Sequence, residues 1–204
     1  MKIDPANLDY KDTHDLLMGC IAPRPIAFVS TVGKDGVFNV APFSLFTPVS
    51  NQPPLVGLGI GTYRDGRKKD TLLNIQSSKE FVINIVSESL AEAMNKAATD
   101  WPIEVDEFKE AGLTPVRADI VKAPLLGESA INMECRLKQI IDVGDETRSS
   151  SFVIGQVLRV HVKDELYVND EIQISKLKVI GRLGAELYCR TSDIFEMKRP
   201  YTLK

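Results

Sequence analysis

The sequence predicts a β-rich α+β domain, an antiparallel barrel with a few short peripheral helices. Three observations predict it. About six segments carry β-branched or alternating apolar residues over strand-like lengths. Short turns join several of them as hairpins. Only two or three short stretches repeat at helical spacing, too few to supply the crossovers that a doubly wound parallel sheet needs. With 204 residues, 44% of them hydrophobic, and no convincing linker, the chain is expected to form a single domain over 1–204.

The elements follow in order. The first dozen residues read as an exposed arm, and Asp15-Leu16-Leu17-Met18 as a short helical turn. Residues 26–32 are a strand closed by the turn Gly33-Lys34-Asp35-Gly36, with 37–41 as the antiparallel partner. Pro42 is expected to break that ladder, because it has no N–H to donate. Residues 55–60 are a third strand, and glycine there suggests that a ligand or another backbone comes close. Asp70 caps a short helix through Lys79. Residues 80–86 are apolar on both faces and suit a central strand.

Ser89 and Glu92 make a capping box for the clearest helix, which puts Leu90, Ala93, Met94 and Ala97 on one face and ends at Trp101-Pro102. The acidic segment 103–112 reads as a loop and helical turn anchored by Phe108. Residues 130–143 and 152–162 are long strands of one hairpin, joined by Gly144-Asp145-Glu146, with Gly155 marking a bulge. The tail 177–200 carries mixed signals.

Composition excludes several classes. A net charge of −3 and no basic tail argue against a nucleic-acid partner. The longest apolar runs are far too short to span a bilayer. The polar N-terminus lacks the apolar core of a signal peptide, so the expected location is the cytoplasm, with no membrane partner. Cys20, Cys135 and Cys189 are odd in number and form no C-x-x-C pair, which points to free thiols. His14 and His161 fit no metal-ligand spacing, so no metal is expected.

Gly57, Gly59 and Gly61 bring the third glycine one residue too early for a dinucleotide fingerprint. Neither a Walker loop nor a G-x-S-x-G elbow occurs. Two segments remain. Arg64, Arg67, Lys68 and Lys69 precede the helix start at Asp70-Thr71, where free N–H groups and the helix dipole favour an anion. The same residues also suit a solvated basic turn. Asn39-Val40-Ala41-Pro42-Phe43-Ser44 offers side-chain and backbone partners for the polar edge of a flavin ring; it equally suits an edge strand that stops at its proline.

Taken in order, the chain resembles the flavin reductase-like, FMN-binding family. The resemblance rests on Pro23-Arg24-Pro25-Ile26, Ser30-Thr31, the Asn39–Ser44 segment, Ser50 with Pro53-Pro54, Lys69-Asp70-Thr71-Leu72 with Asn74, and Phe81-Val82-Ile83-Asn84. It continues through Val105-Asp106-Glu107-Phe108, Ala111-Gly112-Leu113-Thr114, Glu134-Cys135, Gly155-Gln156-Val157 and Arg182-Leu183-Gly184 with Tyr188. It implies a split β-barrel that forms a homodimer, with FMN near the subunit interface. Asn39, Val40, Ala41, Pro42, Phe43 and Ser44 would border the isoalloxazine, with Thr31 and Ser50 as nearby polar contacts. Lys69, Asp70 and Thr71 would sit at the phosphate.

Asn84 is a candidate contact or a residue that satisfies backbone inside the sheet. Arg24 is a structural cap or a flavin-edge contact. Arg182 and Tyr188 would reach the pocket edge, where Ala185 departs from the paired glycines of many relatives. The implied activity passes hydride from NAD(P)H to flavin and on to a small-molecule or protein acceptor. It needs no catalytic side chain, because the flavin carries the chemistry. The alternative is an FMN-containing electron carrier resembling flavoredoxin, fed by a protein partner.

Overall fold

Both faces of the first strand are buried, and that fixes the architecture. The computed structural model describes residues 1–144 and 149–200. In strand β1 (Ala27–Val32), Ala27 and Val29 enter one core while Phe28 enters another. Side chains alternate across a strand, so β1 must lie between two apolar layers.

The chain begins with helix α1 (Tyr10–Cys20), where an exposed arm and a single turn were expected. Asp9 caps it by accepting from the Asp12 N–H at 2.7 Å, a signal hidden among several acids. Strands β1, β2 (Phe38–Phe43), β3 (Phe46–Asn51), β4 (Pro54–Gly61) and β5 (Glu80–Ile85) follow, with helix α2 (Asp70–Ser78) between β4 and β5. Helices α3 (Ala91–Ala97) and α4 (Glu107–Ala111) come next, then short strands β6 (Pro115–Val116) and β7 (Leu125–Leu126). The long strands β8 (Ile131–Gly144) and β9 (Ser149–Val162) pair in register along most of their length. Asp145 and Glu146 of the expected turn lie outside the described residues. The chain closes with β10 (Tyr167–Val168), β11 (Glu171–Ile172), α5 (Ile174–Leu177), β12 (Ile180–Arg182) and β13 (Tyr188–Arg190).

The main sheet has the order β2-β1-β5-β8-β9-β4-β3, antiparallel at every pairing. Its two outermost strands, β2 and β3, are consecutive in the chain and joined only by Ser44 and Leu45. A sheet whose edges are that close in sequence must curl on itself, and the expected split barrel is the result. At the turn, the Gly59 N–H donates to the Leu45 carbonyl at 2.7 Å and extends the β3–β4 ladder by one rung. Inside the barrel, Val29, Phe43, Leu58, Ile60, Phe81 and Ile83 pack against Leu72 and Ile75 of α2. Outside, Phe28, Val40, Leu90, Met94 and Phe108 pack under α3 and α4. Among the described residues no helix is long and apolar enough to cross a membrane.

Several local expectations are corrected. Strand β3 was not anticipated; its Pro48 masks a run that lies at the sheet edge, where proline is tolerated. Pro42 does not break the ladder but sits within β2, opposite Phe28. It shares parity with Val40, whose N–H turns away from β1 to a side chain on α4, so no ladder bond is lost. The glycines of β4 make room for side chains: a Cβ on Gly57 would meet the Phe152 ring at 2.3 Å, and one on Gly59 would meet Leu45 at 2.8 Å.

Gly155 likewise faces the Phe81 ring, and the nearest register shift falls on the partner strand, between Leu137 and Gln139. The capping box does not form; Ser89 bonds Ser87 in a 3-10 turn, Glu88–Leu90, and α3 starts without a side-chain cap. It ends at Ala97, before Trp101. Asp70 is the first residue of α2 rather than its cap, and its carboxylate is engaged elsewhere.

Candidate functional site

Antiparallel pairing puts Thr31 of β1 opposite Asn39 of β2. The Thr31 hydroxyl donates to Asn39 Oδ1 at 3.1 Å, and the Thr71 hydroxyl donates to the same oxygen at 2.8 Å. Asn74, one turn along α2, donates to Thr31 Oγ1 at 3.0 Å. Asn39 turns its amide the other way and donates to Glu107 Oε2 at 2.8 Å. The Val40 N–H donates to that same oxygen at 2.7 Å. A chain of side chains thus joins α2 through β1 and β2 to α4.

Glu107 was not anticipated as a site residue. The Asp106 cap bonds the Lys109 N–H at 3.2 Å, and Gly112, at φ 69°, closes α4. Phe108 anchors that helix edge-on against Phe38, 6.0 Å between centroids. Between cap and anchor, Glu107 is turned inward and is only 5% exposed. Burial pushes its carboxyl up to about 7; the Asp70 charge adds to the rise, while the Val40 and Asn39 donors and the Lys69 charge oppose it.

The start of α2 is the second half of the site. The first N–H groups of any helix, here those of Asp70 and Thr71, have no acceptor within it. Asp70 accepts from the Tyr63 hydroxyl at 3.0 Å. Burial and the Asp70 charge push that phenol upward. Lys69 Nζ lies 4.3 Å from the centre of the Tyr63 ring and 3.3 Å from Asp100. Arg67 approaches the same ring at 5.1 Å but is paired with Asp65 and exposed; Arg64 is exposed as well.

A cavity of about 150 Å³ lies between these halves, walled by Asn39, Ala41, Pro42 and Phe43 on one side and by Gly61, Tyr63, Lys69, Thr71, Asp100 and Glu107 around it. An open cleft of about 720 Å³ adjoins it, sharing Tyr63 and Asp100. Trp101 lines that cleft, and its indole N–H is buried without a partner among the described residues. A second cleft of about 750 Å³ shares Asn39 and Glu107 and runs past Leu73 and Asn74.

The structure therefore brings Asn39, Ala41, Pro42, Phe43, Lys69 and Thr71 to one cavity, and Asp70 to both adjoining clefts. It turns the Val40 side chain into the core and gives Thr31 a supporting place behind Asn39. Ser44 accepts from Arg24 at 3.4 Å, and Ser50 accepts from the Gln52 N–H at 3.3 Å; neither lines the cavity. The Asn84 amide donates to the Phe28 carbonyl and to Ser30, and its oxygen accepts from Leu126, so it satisfies groups inside the sheet. Arg24 ties the carbonyls of Met18 and Ile21, at the end of α1, to that of Leu183. That clamp gives it the structural role. Arg182 bonds the Ala185 carbonyl and stacks 4.4 Å over Tyr188, away from the cavity lining.

A second buried glutamate lies elsewhere. Glu134 of β8 accepts from the backbone N–H groups of Asp119, Ile120 and Val121 at 3.2, 2.6 and 2.9 Å, and meets His161 Nε2 at 2.7 Å. Asp119 completes a group with metal-like spacing, but it pairs with Arg159 at 2.6 Å, and the Glu134 oxygens are spent on the loop.

The family model described as flavin reductase like domain matches residues 18–176. An uncharacterised protein of Halalkalibacterium halodurans is 38% identical over 202 residues, covering 98% of this chain and 97% of its own. The crystal structure of nitrilotriacetate monooxygenase component B from Bacillus cereus is similar at a TM-score of 0.93 and 37% identity, over 97% of this chain and 98% of that one. That of 2-nitrobenzoate 2-nitroreductase from Pseudomonas fluorescens gives 0.90 and 29%, over 100% and 98%.

Proposed function

The chain belongs to the flavin reductase-like family, and on that premise we propose that it is an FMN-binding oxidoreductase that passes hydride from NAD(P)H to the flavin and on to a small-molecule or protein acceptor. One observation carries the reading: the cavity opens where the start of α2 meets the outward edge of β2, the two segments that suit a phosphate and a ring. The donor set fits FMN. Lys69 supplies a full charge, and the α2 start supplies free N–H groups, for an anion. Ala41, Pro42 and Phe43 offer a largely apolar wall for a planar ring. Gly61 faces them, and a Cβ there would meet nothing nearer than Ser150 Oγ at 3.9 Å, so that side stays open.

When bound, FMN supplies hydride acceptance and electron storage. The protein's part is binding and orientation. Lys69 and the Asp70 and Thr71 N–H groups would hold the phosphate. The Thr71 hydroxyl is committed to Asn39, so it fixes β2 against α2 and offers only its oxygen to a donor. Asn39 and Glu107 close the floor. The cavity opens into both clefts, and a second copy of the chain is the partner that would cover them.

The test is an absorbance spectrum of purified protein mixed with FMN, followed by anaerobic addition of NADH or NADPH. Flavin bands that bleach with either nucleotide are expected. A protein that takes up no flavin overturns the reading. One that holds FMN but is bleached by neither nucleotide is an electron carrier instead.

A further inference from the structure

Among the described residues, Glu107 is the one acidic side chain that lines the cavity and bonds the strand that walls it, and the binding reading leaves its charge unexplained. A single oxygen takes two donors, Asn39 Nδ2 and the Val40 N–H. The carboxylate thereby sets how β2 is presented to the cavity. We propose that Glu107 is a proton-linked positioning residue, which takes one proton from water when a phosphorylated flavin occupies the cavity. The proton adds to the carboxylate, giving a neutral carboxyl; no electron moves. This rests on the FMN reading above.

The argument is one of charge and enclosure. The cavity holds Lys69 as its cation, against Asp100 and Glu107 in the lining and Asp70 beside it. A phosphate dianion next to Lys69 consumes the charge that makes ionised Glu107 tolerable. Protonation relieves the repulsion and costs no hydrogen bond, because a carboxyl keeps one oxygen free for both donors. The other titratable groups on the surrounding elements are Tyr63 after β4, Glu104 before α4, Lys34 and Asp35 in the turn across the cleft, Glu92 and Lys96 on α3, and Asp106, Lys109 and Glu110 on or beside its own helix. Strand β2 carries no titratable residue. Burial has already brought Glu107 to about 7, where a modest push completes the protonation.

The experiment is titration calorimetry of FMN into wild-type protein and Glu107→Gln, above about pH 7, where the phosphate is a dianion. Two buffers of different ionisation enthalpy report protons taken up. Glutamine keeps an oxygen for both donors and mimics the neutral form. In wild type, uptake should approach one proton per FMN, and the dissociation constant should rise by up to about tenfold per pH unit. In Glu107→Gln both effects should vanish, with affinity equal to or above wild type at alkaline pH. Equal uptake in the two proteins, or none in either, overturns the proposal while leaving FMN binding intact. FMN that binds neither protein overturns the functional reading itself. Should Glu107→Gln fail to fold, infrared difference spectra of wild type labelled at glutamate decide the matter. A new protonated-carboxyl band on FMN addition supports the proposal, and its absence refutes it.

Discussion

Two glutamates are buried among the described residues, and they are held in opposite ways. Glu134 is fully enclosed, yet it receives three backbone N–H bonds and His161, and these donors outweigh the cost of burial and hold its carboxyl below the usual range. Glu107 receives two donors on one oxygen and faces Asp70, and burial wins. The difference teaches where charge is structural. Glu134 pins the 119–121 loop onto β8 and β9 with its valences filled. Glu107 borders open space with its charge poorly compensated, as befits a group beside a ligand.

The sharpest way to break the comparison is Glu134→Ala. It strands three backbone donors and should cost on the order of 3–5 kcal/mol in a denaturant titration. Flavin affinity of the fraction that remains folded should be unchanged, because Glu134 lines neither the cavity nor the two clefts beside it.

Next in size is the pH response. Glu107 titrates higher in the folded state than in the unfolded one, so the folded state binds more protons between the two values. Wild-type stability should therefore fall as pH rises from about 4.5 to about 7, by on the order of 3 kcal/mol at most. Glu107→Gln should flatten that limb. Glu134, held low, contributes stability that is lost as pH falls below its unfolded range, so Glu134→Gln should flatten the acid limb instead. Stability measured across pH in both variants checks the pair; limbs exchanged between them would contradict it.

Asn84→Ala is smaller. It removes the donor to the Phe28 carbonyl and the nearer of two acceptors for the Leu126 N–H, and should cost about 1–3 kcal/mol of stability. FMN affinity should not move; a selective loss of FMN would return Asn84 to the site.

Much of the fold was legible, because the strands announce themselves by β-branched residues and hairpin turns. Strand β5 lies between β1 and β8 as its two apolar faces required. The barrel seam was harder to read. It depends on β2 and β4 sharing one core through Phe43, Leu58 and Ile60, which no local pattern encodes. In the site, the Lys69-Asp70-Thr71 run was visible as a cation beside a helix start. Glu107 was hidden because a glutamate within Glu104–Glu110 reads as a solvated turn. Its burial comes from Asn39, 68 residues away in sequence. The signal available was its place between a capping Asp and a buried Phe. Arg24 and Asn84 look the same in sequence as ligand-binding residues, since a buried donor needs partners whether they are protein or ligand.

The central claim is that the α2 start and β2 together hold a phosphorylated flavin. Its most direct test is the ratio of riboflavin to FMN dissociation constants in wild type and in Lys69→Ala. The account predicts that wild type favours FMN and that the variant loses about 1.5–3 kcal/mol of FMN binding while riboflavin hardly changes. Equal weakening of both ligands, or a wild type indifferent to the phosphate, would contradict it.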